Sequence, residues 1–328
     1  MPAVDIRLRP SFSIFFGEPE GHLRQAIRNA LINEGYRGLR DFARLPDLRN
    51  ALLSGPPDLL VIDTHLAEGD CFDFVHQVRY QRIPGNPFIP VIFTTWQPES
   101  AIVRRIVDSG ADDLLLKPMS PLQLLQRIES LTFNRKPFVV TSDYIGPDRR
   151  DIDTRNKSDI PQIEVPNTLK AKAYGEKINM EDLQTLVDNT MFDINEQRLK
   201  RHSYQVAFLA NLIVPAYSAG KADHETLAHV KRLAEVADDV GRRLVGSSFE
   251  HIADLCRSLM EVAGRISDNS RDPDSRDVEL LKPLSDAILV GFNPDKQGAA
   301  IANEIIGMVR NYANKKKNEA MKLRDRVI

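Results

Sequence analysis

The chain has 328 residues, 42% hydrophobic and 27% charged, too long for one ordinary core and proportioned for two globular domains with a connecting segment. Its 44 basic and 46 acidic residues leave a formal net charge of −2, so no global field draws it to nucleic acid or to an anionic membrane. Two cysteines, Cys71 and Cys256, exclude a disulfide scaffold and suit a reducing compartment. With no signal-like leader and no apolar run of membrane-spanning length, the expectation is a cytoplasmic protein.

From residue 10 to about 135 short apolar runs alternate with amphipathic stretches. Strands are expected at SIFF (13–16), near RGLRDFA (37–43), and at DLLVID (58–63), FIPVIFT (88–94) and DDLLL (112–116). Helical patterns lie between and after them: HLRQAIRNAL, PDLRNALL, CFDFVHQVRY, ESAIVRRIVDSG and PLQLLQRIESL. The third and fourth strands are nearly continuous apolar runs, as expected when both faces are covered. Five β and five α units in alternation predict an α/β domain with a doubly wound, five-stranded parallel sheet.

Residues 136–177 are polar, carry several prolines and lack sustained periodicity, which reads as a linker. PQIEVP within it has the look of an extended arm. Residues 178–328 are expected to form an all-α bundle of about five helices. Leu227, Val230, Ala234, Ala237, Val240 and Leu244 make one apolar stripe at alternating spacings of three and four. A second runs through Phe249, Ile252, Cys256, Leu259, Ala263 and Ile266, and a third through Ile301, Ile305, Met308 and Tyr312. Asp223, Ser247 or Ser248, and Asp295 are candidate N-caps.

Four positions converge at the carboxyl ends of the predicted strands: Glu18 after the first, Asp63 closing the third, Thr95 after the fourth and Lys117, followed by Pro118, at the fifth. Their order and spacing, with the string GADDLLLKP, resemble the receiver domains of two-component response regulators, and the likeness covers residues 10–135. The resemblance implies a flavodoxin-like fold with Asp63 as phosphoacceptor, Thr95 as switch hydroxyl and Lys117 as the cation on the phosphoryl group. It also implies Mg²⁺ held by Asp63, Glu18 and the backbone carbonyl of His65, and a cis Lys117–Pro118 bond. A sensor histidine kinase or phosphotransfer protein would be the phosphodonor. Such a domain catalyses its own phosphorylation and dephosphorylation, and no separate catalytic domain is read from the chain.

The chain departs from that family at several points. Pro19 stands where a second acid is usual, so Glu20 is a weak substitute for the metal. Trp96 replaces a small residue and would narrow access to Asp63. Leu114 replaces an aromatic, so an aromatic rotamer switch does not carry over, and Ala67 replaces a frequent proline. These departures motivate a rival reading, a phosphorylation-independent scaffold.

The helical half carries no nucleotide-binding, hydrolase or metalloprotease motif and is read as a protein-interaction domain with an unidentified output partner, with homodimerisation as one use. His202, in LKRHSYQVAF, motivates a phosphotransfer or phosphatase output. The residues after it lack the pattern of phosphotransfer helices, and a surface or capping role is expected instead. The basic tail NKKKNEAMKLRDR is the one feature pointing to nucleic acid, and a solvated helix end is the expected reading. Ile102, Ile106, Leu114, Leu122 and Leu125 are the candidate output face of the receiver.

Overall fold

The computed structural model describes residues 4–141, 143–150, 160–244 and 250–292. The chain divides into two compact units, residues 1–194 and 195–328.

Unit one is built on five parallel strands: β1 (Ser13–Gly17), β2 (Gly38–Phe42), β3 (Leu59–Asp63), β4 (Val91–Thr95) and β5 (Asp113–Leu116), in the order β2-β1-β3-β4-β5. Every residue of β3 and β4 is buried, as the runs LLVID and VIFTT require when helices cover both faces. The edge strands β2 and β5 are only partly buried and carry Arg40, Asp41 and Asp113, which discourages pairing with another chain. The fourth strand begins at Val91, three residues later than its apolar run suggests. Phe88 and Ile89 are buried ahead of it, and Pro90, with no amide to contribute, joins only through its carbonyl, which accepts from the Leu60 amide at 2.9 Å.

Helices α1 (Gly21–Asn33) and α5 (Pro121–Phe133) cover one face of the sheet over Ile14, Phe16, Val61 and Ile92. Helices α2 (Leu45–Ser54), α3 (Cys71–Arg79) and α4 (Ser100–Asp108) cover the other over Phe15, Leu60, Ile62 and Phe93. Local chemistry starts these helices where the site needs them to start. The Asp70 side chain caps α3 through the amides of Phe72 and Asp73. Ser120 and Gln123 form a capping box on α5, with Pro121 in its first turn. The chain turns at the β1/β3 boundary, where the strand order reverses and the carboxyl strand ends open a crevice.

Residues 136–177 are more than the expected linker. They carry β6 (Phe138–Val140), β7 (Ile145–Pro147) and β8 (Gln162–Ile163), an antiparallel sheet in the order β7-β6-β8. Prolines and charges hide the pattern, but Phe138, Val140 and Ile145 are buried with Phe88, and burying one such phenylalanine contributes about 1.5–3 kcal/mol. Arg79, fully buried, donates to the carbonyls of Gly110, Pro87 and Ile89 and to Asp112. Arg135 reaches the same Asp112 at 2.8 Å. The Phe138 ring lies 5.3 Å from the Arg79 guanidinium and 5.0 Å from that of Arg135, close enough for cation–π attraction. Gly110 has φ of +81° and a Cβ there would meet the Ile145 carbonyl at 2.3 Å, so only glycine lets this small sheet close on the α4–β5 turn. Helix α6 (Thr168–Ala173) follows, capped by Asn167, and then the long α7 (Met180–Ser218). The first part of α7 packs Val187, Met191 and Ile194 onto the small sheet.

Unit two contains the rest of α7 with α8 (His224–Leu244), α9 (Glu250–Asp268) and α10 (Ser275–Phe292). The predicted stripes face inward: Val230, Ala237, Val240 and Leu244 pack with Ile252, Cys256, Leu259, Ala263 and Ile266. Asp223 accepts from the Thr226 amide at 2.9 Å and caps α8. The third stripe, the caps at 247, 248 and 295, Phe249 and the basic tail lie outside the described residues. Among the described residues no helix is long and apolar enough to cross a membrane.

Candidate functional site

Asp63 is the last residue of β3, and its carboxylate is 3% exposed. Oδ1 accepts the His65 amide at 2.6 Å, and Oδ2 lies 2.5 Å from Lys117 Nζ. Glu18 follows β1 and is equally buried. Its Oε2 lies 2.5 Å from the same ammonium, while Oε1 accepts the Glu20 amide at 3.1 Å. Lys117 is held by its own amide, which donates to the Thr95 carbonyl at 2.8 Å, and the Lys117–Pro118 bond is cis. Residues 99 positions apart in sequence thus meet because β1, β3 and β5 all end at the same pole.

One ammonium faces two carboxylates, which leaves a formal charge of −1 in a nearly dry pocket. Burial works against the Lys117 ammonium, but its hydrogen bonds to Asp63 and Glu18 and their charges outweigh burial, and its pKa is raised. The donor set fits a small hard cation. Mg²⁺ takes one or two carboxylates and keeps several waters, and two carboxylates converging on one point, with one negative charge in excess, meet that need. Among the described residues no group of three or more His, Cys, Asp or Glu side chains gathers at one point. Glu20 is exposed and pairs instead with His22 at 3.2 Å, so Pro19 leaves the site with two acids.

Thr95 is fully buried, and its Oγ1 accepts from Thr64 Oγ1 at 3.0 Å and from the Gln97 amide at 3.2 Å. The hydroxyl nearest Asp63 belongs to Thr94, 3.5 Å from Oδ2, the residue opposite Asp63 in the β3–β4 register. The sequence reading missed Thr94, Thr64 and Arg24, which donates to the Glu18 and Pro19 carbonyls and fixes that loop. The Thr-Thr pair at 94–95 was the available signal; nothing local marks Arg24.

Trp96 is 47% exposed, with its ring centroid 5.7 Å from Lys117 Nζ. It stands over the lysine and shares the wall of a cavity of about 150 Å³ with Leu23, Ile27 and Leu124. Leu114 is half-buried against the α2–α4 layer. Of the candidate output face, Ile106 is a core residue, 2% exposed, because α4 turns its apolar side to the sheet; Leu122 is exposed, and so is Leu116 at the end of β5.

His202 belongs to unit two. It is not the surface residue expected from its sequence context: it is 3% exposed, with Nε2 3.4 Å from Asp239. Asp239 also pairs with Arg243 at 2.9 Å and Arg198 at 3.7 Å. The imidazole is drawn inward because Asp239, on the next helix, offers it a partner.

Residues 18–129 match the family model of the response regulator receiver domain, and this part of the chain is a receiver domain of the two-component response-regulator type. It is 30% identical over 120 residues to the transcriptional regulatory protein GltR of Pseudomonas aeruginosa, covering 36% of this chain and 48% of that protein. It is 27% identical over 123 residues to the phosphate regulon transcriptional regulatory protein PhoB of Escherichia coli K12, covering 38% and 52%. Among solved structures, the chemotaxis response regulator CheY4 of Vibrio cholerae aligns at 21% identity with a TM-score of 0.34, over 37% of this chain and 98% of that one. The chain spans about half the length of the curated relatives it matches.

Proposed function

We propose that the chain is a phosphoryl-accepting response regulator that takes a phosphoryl group on Asp63 and passes the change to its helical unit. The observation that carries this reading is the Lys117 ammonium 2.5 Å from both Asp63 and Glu18. A carboxylate attacks a dianionic phosphodonor only where positive charge offsets the approach. A unit-charge pair ~4 Å apart is worth about 4 kcal/mol at an effective dielectric near 20, and Lys117 supplies that on the transferring group.

An Asp63 carboxylate oxygen forms the new bond to phosphorus as the bond to the donor nitrogen breaks. The departing imidazole of a sensor kinase or phosphotransfer protein takes a proton. The product is an acyl phosphate, which water hydrolyses back to carboxylate and phosphate. Asp63, Glu18 and the His65 carbonyl would hold Mg²⁺, which when bound neutralises charge on the phosphoryl oxygens. Lys117 holds the phosphoryl group, and a threonine hydroxyl donates to one of its oxygens.

The helical unit is read as the interaction domain that conveys this change to an output partner in the cytoplasm. His202 has a structural role in this reading, since a phosphotransfer histidine must reach solvent. A phosphorylation-independent scaffold is the second reading, favoured by one observation: Lys117 engages both carboxylates that a metal would need.

Trp96 is the only tryptophan in the chain and stands over Lys117, so its fluorescence reports on the site. Magnesium, then acetyl phosphate, should change that emission in two saturable steps. Glu18→Gln should weaken the first and Asp63→Asn abolish the second. A flat response to both additions, together with no metal dependence, would favour the scaffold.

A further inference from the structure

A threonine hydroxyl has one proton to donate and two lone pairs to accept with. At Thr95 all three are engaged. Oγ1 accepts from Thr64 Oγ1 at 3.0 Å and from the Gln97 amide at 3.2 Å, and it donates to the Gln97 carbonyl at 3.4 Å. The Thr64–Thr95 bond is enclosed, with the residues 8% and 0% exposed, so water does not compete for it. Thr64 is itself braced by His65 Nδ1 at 2.9 Å. With the Thr64 proton given to Thr95, that ring nitrogen carries the hydrogen. The His65 amide in turn donates to Asp63 Oδ1 at 2.6 Å. One short loop, residues 63–65, therefore carries both the acceptor carboxylate and the group that occupies the switch hydroxyl.

We propose that Thr64 is a positioning residue that latches Thr95 in the resting state: the swing of Thr95 toward a phosphoryl oxygen on Asp63, which frees its proton from the Gln97 carbonyl, must also break the Thr64–Thr95 bond. The inference rests on the phosphoryl-acceptor reading of Asp63. Its physical content is a cost carried by the resting state alone. Thr64→Val removes the hydroxyl, keeps the branched side chain, and leaves Thr95 with one bond fewer to surrender. Thr64→Ser keeps the hydroxyl.

The test is a titration of the full chain with beryllofluoride and magnesium, read by Trp96 fluorescence. Neutral hydrogen bonds contribute a net 0.5–1.5 kcal/mol, so Thr64→Val should tighten binding by roughly twofold to thirteenfold, and Thr64→Ser should bind as wild type does. On a Thr95→Val background the Thr64→Val effect should vanish, because the latch then has nothing to hold. A packing role for Thr64 would instead leave the effect intact on that background. Unchanged or weaker binding by Thr64→Val, with wild-type binding intact and both serine and valine variants folded, overturns the latch alone. Absence of binding by the wild-type chain, by fluorescence and by ¹⁹F NMR, overturns the phosphoryl reading and the latch with it.

Discussion

Lys117 Nζ lies 2.5 Å from Asp63 Oδ2 and 2.5 Å from Glu18 Oε2, so a single ammonium holds two buried carboxylates at the carboxyl end of the sheet. Without it, two negative charges would share a site from which water is nearly excluded. Breaking a buried ion pair by removing one partner costs about 3–5 kcal/mol. Lys117→Met should lower the urea midpoint of unit one accordingly, and magnesium should restore part of the loss because it supplies the missing charge. An unchanged midpoint would mean the pair contributes little. The pH dependence has a definite sign. The raised Lys117 pKa makes its contribution fully present below the unfolded value of about 10.5 and lost as pH climbs through the folded value, so no loss from this group is expected between pH 6 and 9.

Asp112 joins the receiver to the small sheet that follows it, taking Arg79 at 2.9 Å and Arg135 at 2.8 Å. Asp112→Ala leaves two buried guanidiniums without this partner and should destabilise unit one by about 3–5 kcal/mol. Phe138→Ala removes a fully buried ring between the same groups, at a cost of about 3–5 kcal/mol. Chemical denaturation of both variants checks this. Wild-type midpoints would show that the small sheet is a passive attachment.

In unit two, Asp239 gathers His202, Arg243 and Arg198. Burial works against its carboxylate, but the close His202 imidazole, the hydrogen bonds from Arg243 and the arginine charges outweigh burial and hold its pKa below the usual range. A depressed folded pKa gives stability that is present above the unfolded value of about 3.9 and lost as pH falls through the folded one. Asp239→Asn should therefore unfold unit two more readily at pH 7, with the gap from wild type narrowing as pH falls below about 4. Circular dichroism melts at several pH values measure it; a gap independent of pH would contradict it. His202→Gln should weaken unit two without changing phosphoryl uptake at Asp63.

Both thiols are buried, and burial pushes the pKa of Cys71 and of Cys256 up to about 12. Thiolates are the reactive form, so neither residue should react with a disulfide reagent at pH 8 in the folded chain, and both should react in denaturant. The raised values also mean that stability falls as pH rises from the unfolded value of about 8.5 toward 12. Rapid labelling of either thiol in the native state would place it in a less protected setting.

The receiver was legible because its signals are local and strong. Buried parallel strands read as LLVID and PVIF, and four site residues sit at strand ends, where counting from the apolar runs finds them. The small sheet was not legible, because its strands are two or three residues long and owe their burial to Phe88, Arg79 and Gly110, far off in sequence. His202 failed for a related reason: Asp239, its partner, lies on the next helix, and no pattern within LKRHSYQVAF marks the pairing. Glu18, Asp63 and Lys117 were all named from sequence, but their sharing of one ammonium, and the engagement of Thr95 by Thr64, are facts of three dimensions.

Everything proposed for the switch depends on phosphoryl transfer to Asp63. Intact mass spectrometry after incubation with acetyl phosphate and magnesium tests it most directly, beside Asp63→Asn and a chelated control. One added phosphoryl group is expected on the wild-type chain, labile to hydroxylamine and absent in both controls. An unmodified wild-type chain that also fails to bind beryllofluoride, or a phosphoryl group that persists in Asp63→Asn, would contradict it.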